Sequence, residues 1–213
     1  MIPDAFSAKT EEYALQRRLY LYTRADTITP EVTDFVDWAS SAEADGVIRK
    51  AGFIGFNVDR REQSNTDVRG QALARAEGTE AEKAVIRQML GAMANYDRLS
   101  TTFRFQTGSS LLDERGQIDK ARLVEYLSNQ PAGSEVLFVG FTDSIGDFAY
   151  NLNLAEDRAA EVMRNVQSFA GNRLSNLTLS SRGFGEIAPS GCNASDQGRR
   201  INRRTEVWIR SPR

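Results

Sequence analysis

The chain contains no histidine and a single cysteine, Cys192, so its chemistry must come from carboxylates, arginines, lysines, hydroxyls and amides. Without imidazole there is no Ser-His-Asp or Cys-His nucleophile system, no histidine-ligated zinc and no imidazole general base. One cysteine forms neither an internal disulfide nor a multi-thiolate metal site. The sequence therefore predicts no cofactor and no metal, with Cys192 a free, exposed thiol.

Four carboxylates cluster in the sequence and keep an enzymatic alternative open: Asp143, Asp147, Glu156 and Asp157. A retaining glycosidase needs two carboxyl groups about 5–5.5 Å apart. Because no activated nucleophile accompanies them, we expect no enzyme. A cell-wall hydrolase that uses a carboxylate pair, and a purely structural assembly domain, remain the alternatives.

Composition narrows the class of protein. With 213 residues the chain holds one or two domains, and 40% apolar with 26% charged residues is typical of a globular protein. The net charge of −2 disfavours nucleic acid as a partner. No run approaches the roughly 18 apolar residues of a membrane span. The first residues show no signal-peptide pattern, which indicates a fragment.

Local patterns place the elements that must position these side chains. In the first half we expect a strand at 17–24, a helix from Pro30, a short helix at 41–48, a polar linker at 57–70 and a long helix at 71–98 that Gly78 interrupts. In the second half we expect strands at 101–105, 135–140, 177–181 and 205–210 and helices at 116–129 and 151–169. The aromatic residues are expected in the core, among them Tyr20, Tyr22, Trp38 and Trp208. The second half therefore follows the order βαβαββ.

Four motifs lie in this second half: Phe103-x-Phe105-Gln106-Thr107-Gly108-Ser109-Ser110, Gly140-Phe141-Thr142-Asp143, Asn151-x-x-Leu154-Ala155-x-x-Arg158-Ala159 and Gly198-Arg199-x-x-Asn202-Arg203-Arg204-x-Glu206. The ordered set resembles the OmpA-like peptidoglycan-binding domain, which also occurs in Pal lipoproteins and MotB-type flagellar stators. The resemblance covers residues 101–211. It implies an α+β domain in which helices pack on a mixed four-stranded sheet.

The resemblance also implies a ligand, the diaminopimelate of the peptidoglycan stem peptide. In the family an aspartate and an arginine grip this residue, and the matching positions are Asp143 and Arg158. The chemistry agrees, because a carboxylate receives an ammonium group and a guanidinium receives a carboxylate in a bidentate fork. The expected role is non-covalent attachment to peptidoglycan in the periplasm or cell envelope of a Gram-negative-type bacterium.

Other motif positions have secondary roles in this resemblance. The ligand-facing set extends to Thr142, Asn151, Thr107, Gly108 and Ser109. Asn202 and Arg203 are expected to be structural, with the Arg203-Arg204 pair forming an ion pair beside Glu206. Two positions depart from the family pattern: Ala155 replaces a helix serine, and Phe141 stands where many members have histidine. Neither departure removes the charged pair.

The first half resembles a different family. Residues 12–58 are similar to the C-terminal stretch of phosphate-type periplasmic substrate-binding proteins, without the segments that carry that family's ligand loops. We therefore expect a partial lobe at 1–58, a linker and long helix at 59–100, and the peptidoglycan-binding domain at 101–213. The partial lobe is expected to be a mostly helical αβ appendage that exposes apolar surface and self-associates. The whole would tether a receptor to the cell wall.

Overall fold

The computed structural model describes residues 4–62, 68–105, 112 and 114–212. The chain divides into two compact units, Met1–Val58 and Asp59–Arg213. The predicted α+β class is confirmed, since the second unit combines a five-stranded mixed sheet with helices. Within the described ranges, no helix is both long and apolar enough to cross a membrane.

The first unit consists of short helices joined by irregular chain: α1 (Ala5–Lys9), a 3-10 turn (Ala25–Thr27), α2 (Pro30–Ser40) and α3 (Asp45–Lys50). Pro30 occupies the first turn of α2, as predicted, because its fixed φ suits a helix start. The strand predicted at 17–24 is wrong. Its apolar run has β-forming residues, but the described chain offers it no neighbouring strand.

The second unit contains, in chain order, β1 (Arg60–Arg61), α4 (Val68–Ala74), α5 (Glu80–Met93), β2 (Asp97–Arg104), α6 (Glu114–Ser128), β3 (Glu135–Phe141), α7 (Phe148–Ala170), a 3-10 turn (Gly171–Leu174), β4 (Thr178–Gly183), α8 (Asp196–Asn202) and β5 (Arg204–Arg210). From β2 onward the order is the predicted βαβαββ with one helix, α8, inserted between β4 and β5. Two elements were not predicted: the edge strand β1, in the supposed linker, and the short helix α8. β1 forms because Arg60 and Arg61 pair antiparallel with β2.

The long helix predicted at 71–98 is two helices. Thr79 and Glu82 form a reciprocal capping box at the start of α5, with Thr79 N–H donating to Glu82 Oε2 at 2.6 Å. Gly78 precedes this cap, so the break lies where the sequence indicated. The predicted helix also extends too far, because strand β2 already begins at Asp97 and pairs with β5.

The sheet has the strand order β1-β2-β5-β3-β4. β5 pairs antiparallel with both β2 and β3, whereas β3 and β4 are parallel and are connected through α7. Gly140 of β3 lies opposite Gly183 of β4. A side chain at Gly140 would come within 2.0 Å of the Ala155 carbonyl oxygen of α7. The two glycines therefore allow α7 to lie directly on the sheet, at the end where β3 leads into the Gly-Phe-Thr-Asp motif.

The other face of the sheet carries an aromatic core. Trp208 is 2% exposed and packs with Phe141, Phe184 and the α5 methionines Met89 and Met93. Phe141, the position that departs from the family histidine, is thus a core residue. Trp208 confirms the expectation of burial, whereas Trp38, Tyr20 and Tyr22 contradict it because they are 41–87% exposed.

A buried ion pair on strand β5 lies within this core. Arg204 and Glu206 are fully buried and lie 2.8 Å apart. The Glu206 carboxylate also accepts from Trp208 Nε1 at 3.1 Å, and the Arg204 guanidinium lies 4.2 Å from the Phe141 ring centroid. These partners compensate the cost of burying both charges.

Candidate functional site

The candidate site begins where strand β3 ends, at Asp143. This residue is 8% exposed. Its Oδ1 accepts a hydrogen bond from the Ile145 backbone N–H at 3.1 Å, and its Oδ2 accepts one from Arg203 Nη1 at 2.6 Å. The carboxylate is therefore held in a defined orientation, and its ion-pair partner is Arg203, which the sequence assigned to a structural role.

Arg158 supplies a second buried cation from helix α7. Its side chain is 9% exposed, and its guanidinium lies 5.2 Å from the Phe105 ring centroid. Among the described residues its buried Nη1 has no hydrogen-bond partner. Burial lowers the pKa of Arg158 and the nearby charge of Arg203 adds to that effect, while Asp143 and Tyr150 oppose it. A guanidinium stays protonated at neutral pH, so the site holds a desolvated positive charge with an unused donor.

The side chain of Asn151 stabilises the turn between β3 and α7. It is 1% exposed, and its amide Nδ2 lies 3.4 Å from the Asp143 carbonyl oxygen and 3.3 Å from that of Ile145. The same nitrogen donates to Glu186 Oε2 at 2.5 Å. Glu186 thereby brings a second carboxylate to the turn that carries Asp143.

Several buried polar atoms near Asp143 have no hydrogen-bond partner among the described residues. Thr142 donates its backbone N–H to the Gly185 carbonyl oxygen at 2.9 Å, but its buried Oγ1 has no partner in the described part of the chain. The Nε of Arg203 and the Nη1 of Arg158 are likewise buried and unpartnered there. Buried polar atoms are normally satisfied, so these three make the turn after β3 a candidate site for a polar ligand.

The fold brings together Thr142, Asp143, Asn151 and Arg158 of the residues predicted to face the ligand. Thr107, Gly108 and Ser109 lie outside the described residues. Ala155 packs at the close approach of α7 to Gly140 and is fully buried, so a hydroxyl there would lie inside the protein.

Asn202 is fully buried behind this site. It accepts hydrogen bonds from the backbone N–H groups of Ser190 and Gly191, both at 2.8 Å, and donates to the Gly191 carbonyl and the Asn193 side chain. These bonds hold the loop that precedes α8.

Sequence reasoning missed several residues of the site. Arg203 was named but not connected to Asp143, because its partner lies 60 residues away. Glu186 follows Gly-Phe-Gly and carries no local signal of its contact with Asn151. Ile145 and Tyr150 are 65% and 62% exposed and flank the charged groups.

The described residues contain no group of three or more histidine, cysteine, aspartate or glutamate side chains that could hold a metal ion. Cys192 is a free, exposed thiol, as expected. The site consists instead of two guanidinium groups, two carboxylates, a hydroxyl and an amide. Such a set suits a ligand that carries charges of both signs.

Residues 104–203 match the OmpA family. The chain is 32% identical over 121 residues to outer membrane porin F of Pseudomonas aeruginosa, covering 55% of this chain and 33% of the porin. It is 34% identical over 102 residues to outer membrane protein A of Bordetella avium, covering 48% of this chain and 46% of that protein. The alignment with the porin thus spans about a third of that relative's length.

Among solved structures, the peptidoglycan-associated lipoprotein of Burkholderia pseudomallei is 24% identical, with a TM-score of 0.45 over 51% of this chain and 89% of that chain. The segment 104–203 that matches this family model contains every predicted site residue. The resemblance of residues 12–58 to substrate-binding proteins finds no support among these similarities.

Proposed function

We propose that residues 101–213 bind peptidoglycan non-covalently through the diaminopimelate of its stem peptide, without catalysis. The protein that carries this module would thereby be tethered to the cell wall in the periplasm of a Gram-negative-type bacterium. One observation carries the proposal: Arg158 is a buried cation with an unused donor beside the oriented carboxylate of Asp143. The match of residues 104–203 to the OmpA family supports it.

The free end of diaminopimelate is a zwitterion, with one ammonium group next to one carboxylate. In our proposal the ligand carboxylate binds the guanidinium of Arg158, which has no ion-pair partner in the described part of the chain. The ammonium group binds the carboxylate of Asp143, which Arg203 and the Ile145 N–H hold in place. Charge-assisted hydrogen bonds of this kind contribute about 1.5–3 kcal/mol each.

Contacts of three of the four clustered carboxylates favour binding over hydrolysis. Asp147 caps helix α7 by accepting from the N–H groups of Ala149 and Tyr150. Glu156 accepts from Ser181 Oγ at 2.9 Å and from the Gly183 N–H at 2.6 Å. Asp143 is salt-bridged to Arg203. These three carboxylates serve structure and ligand orientation, which leaves the hydrolase alternative without a free pair among them.

A sedimentation assay with purified sacculi tests the proposal. Arg158→Ala and Asp143→Asn should each lose about 2–5 kcal/mol of binding free energy, because the opposite charge of the ligand is left unpaired. Arg164→Ala, an exposed arginine on the same helix, and Asp157→Asn are the matched controls and should bind as wild type. Unchanged sedimentation of both site variants, with unchanged thermal unfolding, would refute the site.

Muropeptides that carry lysine in place of diaminopimelate separate the roles of the two charges. Lysine retains the ammonium group but has no carboxylate for Arg158. We expect calorimetry to show much weaker binding of the lysine form, since a site built for a polar group penalises its absence. Equal affinity would assign Arg158 to structure and remove diaminopimelate as the ligand.

Self-association through the first half is a separate proposal. It is supported by the exposed apolar side chains of Met1–Val58, which number far more than those of the second unit in the described residues.

A further inference from the structure

Six large apolar side chains are exposed on two elements of the first unit. Leu19, Tyr20, Leu21 and Tyr22 on the segment 17–24 are 60–87% exposed, and Phe35 and Trp38 on α2 are 55% and 41% exposed. We call these six residues the apolar surface. Monomeric proteins rarely expose so many large apolar groups close together in sequence, and such surfaces mark interaction sites.

The segment 17–24 has the residue composition of a strand, but it pairs with no strand in the described part of the chain. Within the described chain, residues 17–23 take part in no backbone hydrogen bond with any other residue. Tyr20 and Tyr22 project from the same side, with ring centroids 6.1 Å apart. An apolar segment whose backbone groups have no partner among the described residues is a template for pairing with another chain.

Helix α2 is likewise left uncovered by the described residues. None of its 11 residues is buried. An isolated helix of this length is marginal in water, because most helical stability in proteins comes from packing an apolar face. Phe35 and Trp38 lie one turn apart, with ring centroids 6.1 Å apart, so they present a continuous aromatic patch.

The two elements carry opposite charge. Segment 17–24 includes three arginines: Arg17, Arg18 and Arg24. Helix α2 includes three exposed carboxylates, Glu31, Asp34 and Asp37, which form no ion pair with any described residue. Arg18 and Arg24 pair locally with Glu11 and Asp26, and Arg17 remains exposed.

We propose that the apolar surface of the first unit mediates dimerisation. Segment 17–24 of one copy packs against helix α2 of a second copy of this chain. A two-fold arrangement forms this contact twice, because each copy supplies both a basic apolar segment and an acidic aromatic helix. Complementary charge within one chain is the reason to choose a second copy as the occupant. The inference rests on the self-association proposal, which it makes specific, and it does not depend on the peptidoglycan proposal.

The size of the surface is sufficient. Side chains such as Tyr, Phe and Trp bury about 150–250 Å² when fully covered, so covering the exposed parts of these six would bury on the order of 600 Å² per copy. The total of about 1,200 Å² is the lower limit of a stable, specific interface. We therefore expect a dimer that dissociates on dilution.

Sedimentation equilibrium of the full chain, over about 1–100 μM, tests the proposal. Wild type should dimerise, and Tyr22→Asp should raise the dimer dissociation constant at least roughly tenfold by placing a charge in an apolar contact. Ile118→Asp, a change at a 49% exposed residue of α6, is the matched control and should leave the dimer unchanged. A wild-type chain that is monomeric throughout, or a dimer that survives Tyr22→Asp, would overturn the inference.

Charge exchange tests the pairing itself. Arg17→Glu and the double change Asp34→Arg with Asp37→Arg should each weaken the dimer, and the triple variant should recover affinity, because opposite charges again face each other. A triple variant weaker than either parent would exclude this pairing. Binding of soluble muropeptide should be the same for all variants, so loss of dimerisation is distinguishable from loss of the peptidoglycan site.

Discussion

The two tryptophans of this chain report the difference between its two units. Trp208 in Asp59–Arg213 is 2% exposed and bonded to Glu206, whereas Trp38 in Met1–Val58 is 41% exposed. The ion pairs differ in the same way: Arg204 and Glu206 are fully buried, while the side chains of Arg24 and Asp26 are 77% and 64% exposed.

The difference in burial shows which apolar side chains stabilise their own unit and which are available to bind another molecule. In the second unit both faces of a sheet are covered, so its apolar side chains stabilise the fold. In the described residues of the first unit, the buried apolar side chains are Phe6 and Ala44 alone, while large aromatic groups remain in contact with water. Apolar surface that does not stabilise its own unit is available to bind another molecule.

The largest expected change in unfolding free energy comes from a comparison of the two tryptophans. Trp208→Ala should destabilise the second unit by about 3–5 kcal/mol, because it leaves a cavity and removes the donor to Glu206. At protein concentrations where the chain is monomeric, Trp38→Ala should change the unfolding free energy by less than about 0.5 kcal/mol, since it deletes a solvated side chain. Urea denaturation followed by circular dichroism measures both values. Equal losses would mean that Trp38 belongs to a core.

A second comparison uses two glycines. Gly140→Ala should cost about 1–3 kcal/mol, because the new Cβ would lie 2.0 Å from the Ala155 carbonyl oxygen and push α7 from the sheet. The same displacement moves Arg158, so binding to sacculi should fall as well. Gly46→Ala lies inside α3 with no atom within 4 Å of the new Cβ, and it should stabilise that helix by about 0.5–1 kcal/mol.

Chemical denaturation of both glycine variants checks these signs. A neutral Gly140→Ala would contradict the close approach of α7 to β3. A destabilising Gly46→Ala would contradict the open surroundings of α3.

The smallest expected effect is on the decrease of folding stability at low pH. Hydrogen bonds from Arg210 and then Tyr96 lower the pKa of Glu135 below its ordinary 4.5. A carboxyl group with a lowered pKa in the folded state stabilises the protein above its ordinary pKa, and this contribution is lost as the pH falls through the folded value. Glu135→Gln should therefore flatten the decline of stability below about pH 4.5, by less than about 1 kcal/mol because the pair is partly exposed.

Denaturation of wild type and variant between about pH 3 and 7 measures the change. Asp26→Asn, which removes the exposed ion pair of the first unit, is the control and should leave the transition of the second unit unchanged. A steeper acid decline in Glu135→Gln would reverse the sign of the argument.

Most elements of the second unit were predictable because their signals are local. Helical spacing of apolar residues located α6 and α7 within a few residues, and the apolar run at 135–140 indicated strand β3 with burial on both faces. Gly78 indicated the break before α5, although the capping box of Thr79 and Glu82 was overlooked. Strand β1 was not predictable in the same way, because two arginines in a polar stretch form a strand only where β2 presents an edge.

The candidate site shows the same difference between features with a local sequence signal and features that depend on distant residues. The resemblance to the OmpA-like domain singled out Asp143, Arg158, Thr142 and Asn151, since each lies in one of the motifs that carry it. Only the tertiary structure decided that Asp143 pairs with Arg203 across 60 residues, while Arg158 keeps an unused donor among the described residues. It also decided that the segment 17–24 stays open to solvent. Whether a charge is paired, or an apolar run is covered, depends on which distant chain segments pack against it, and local spacing does not contain that information.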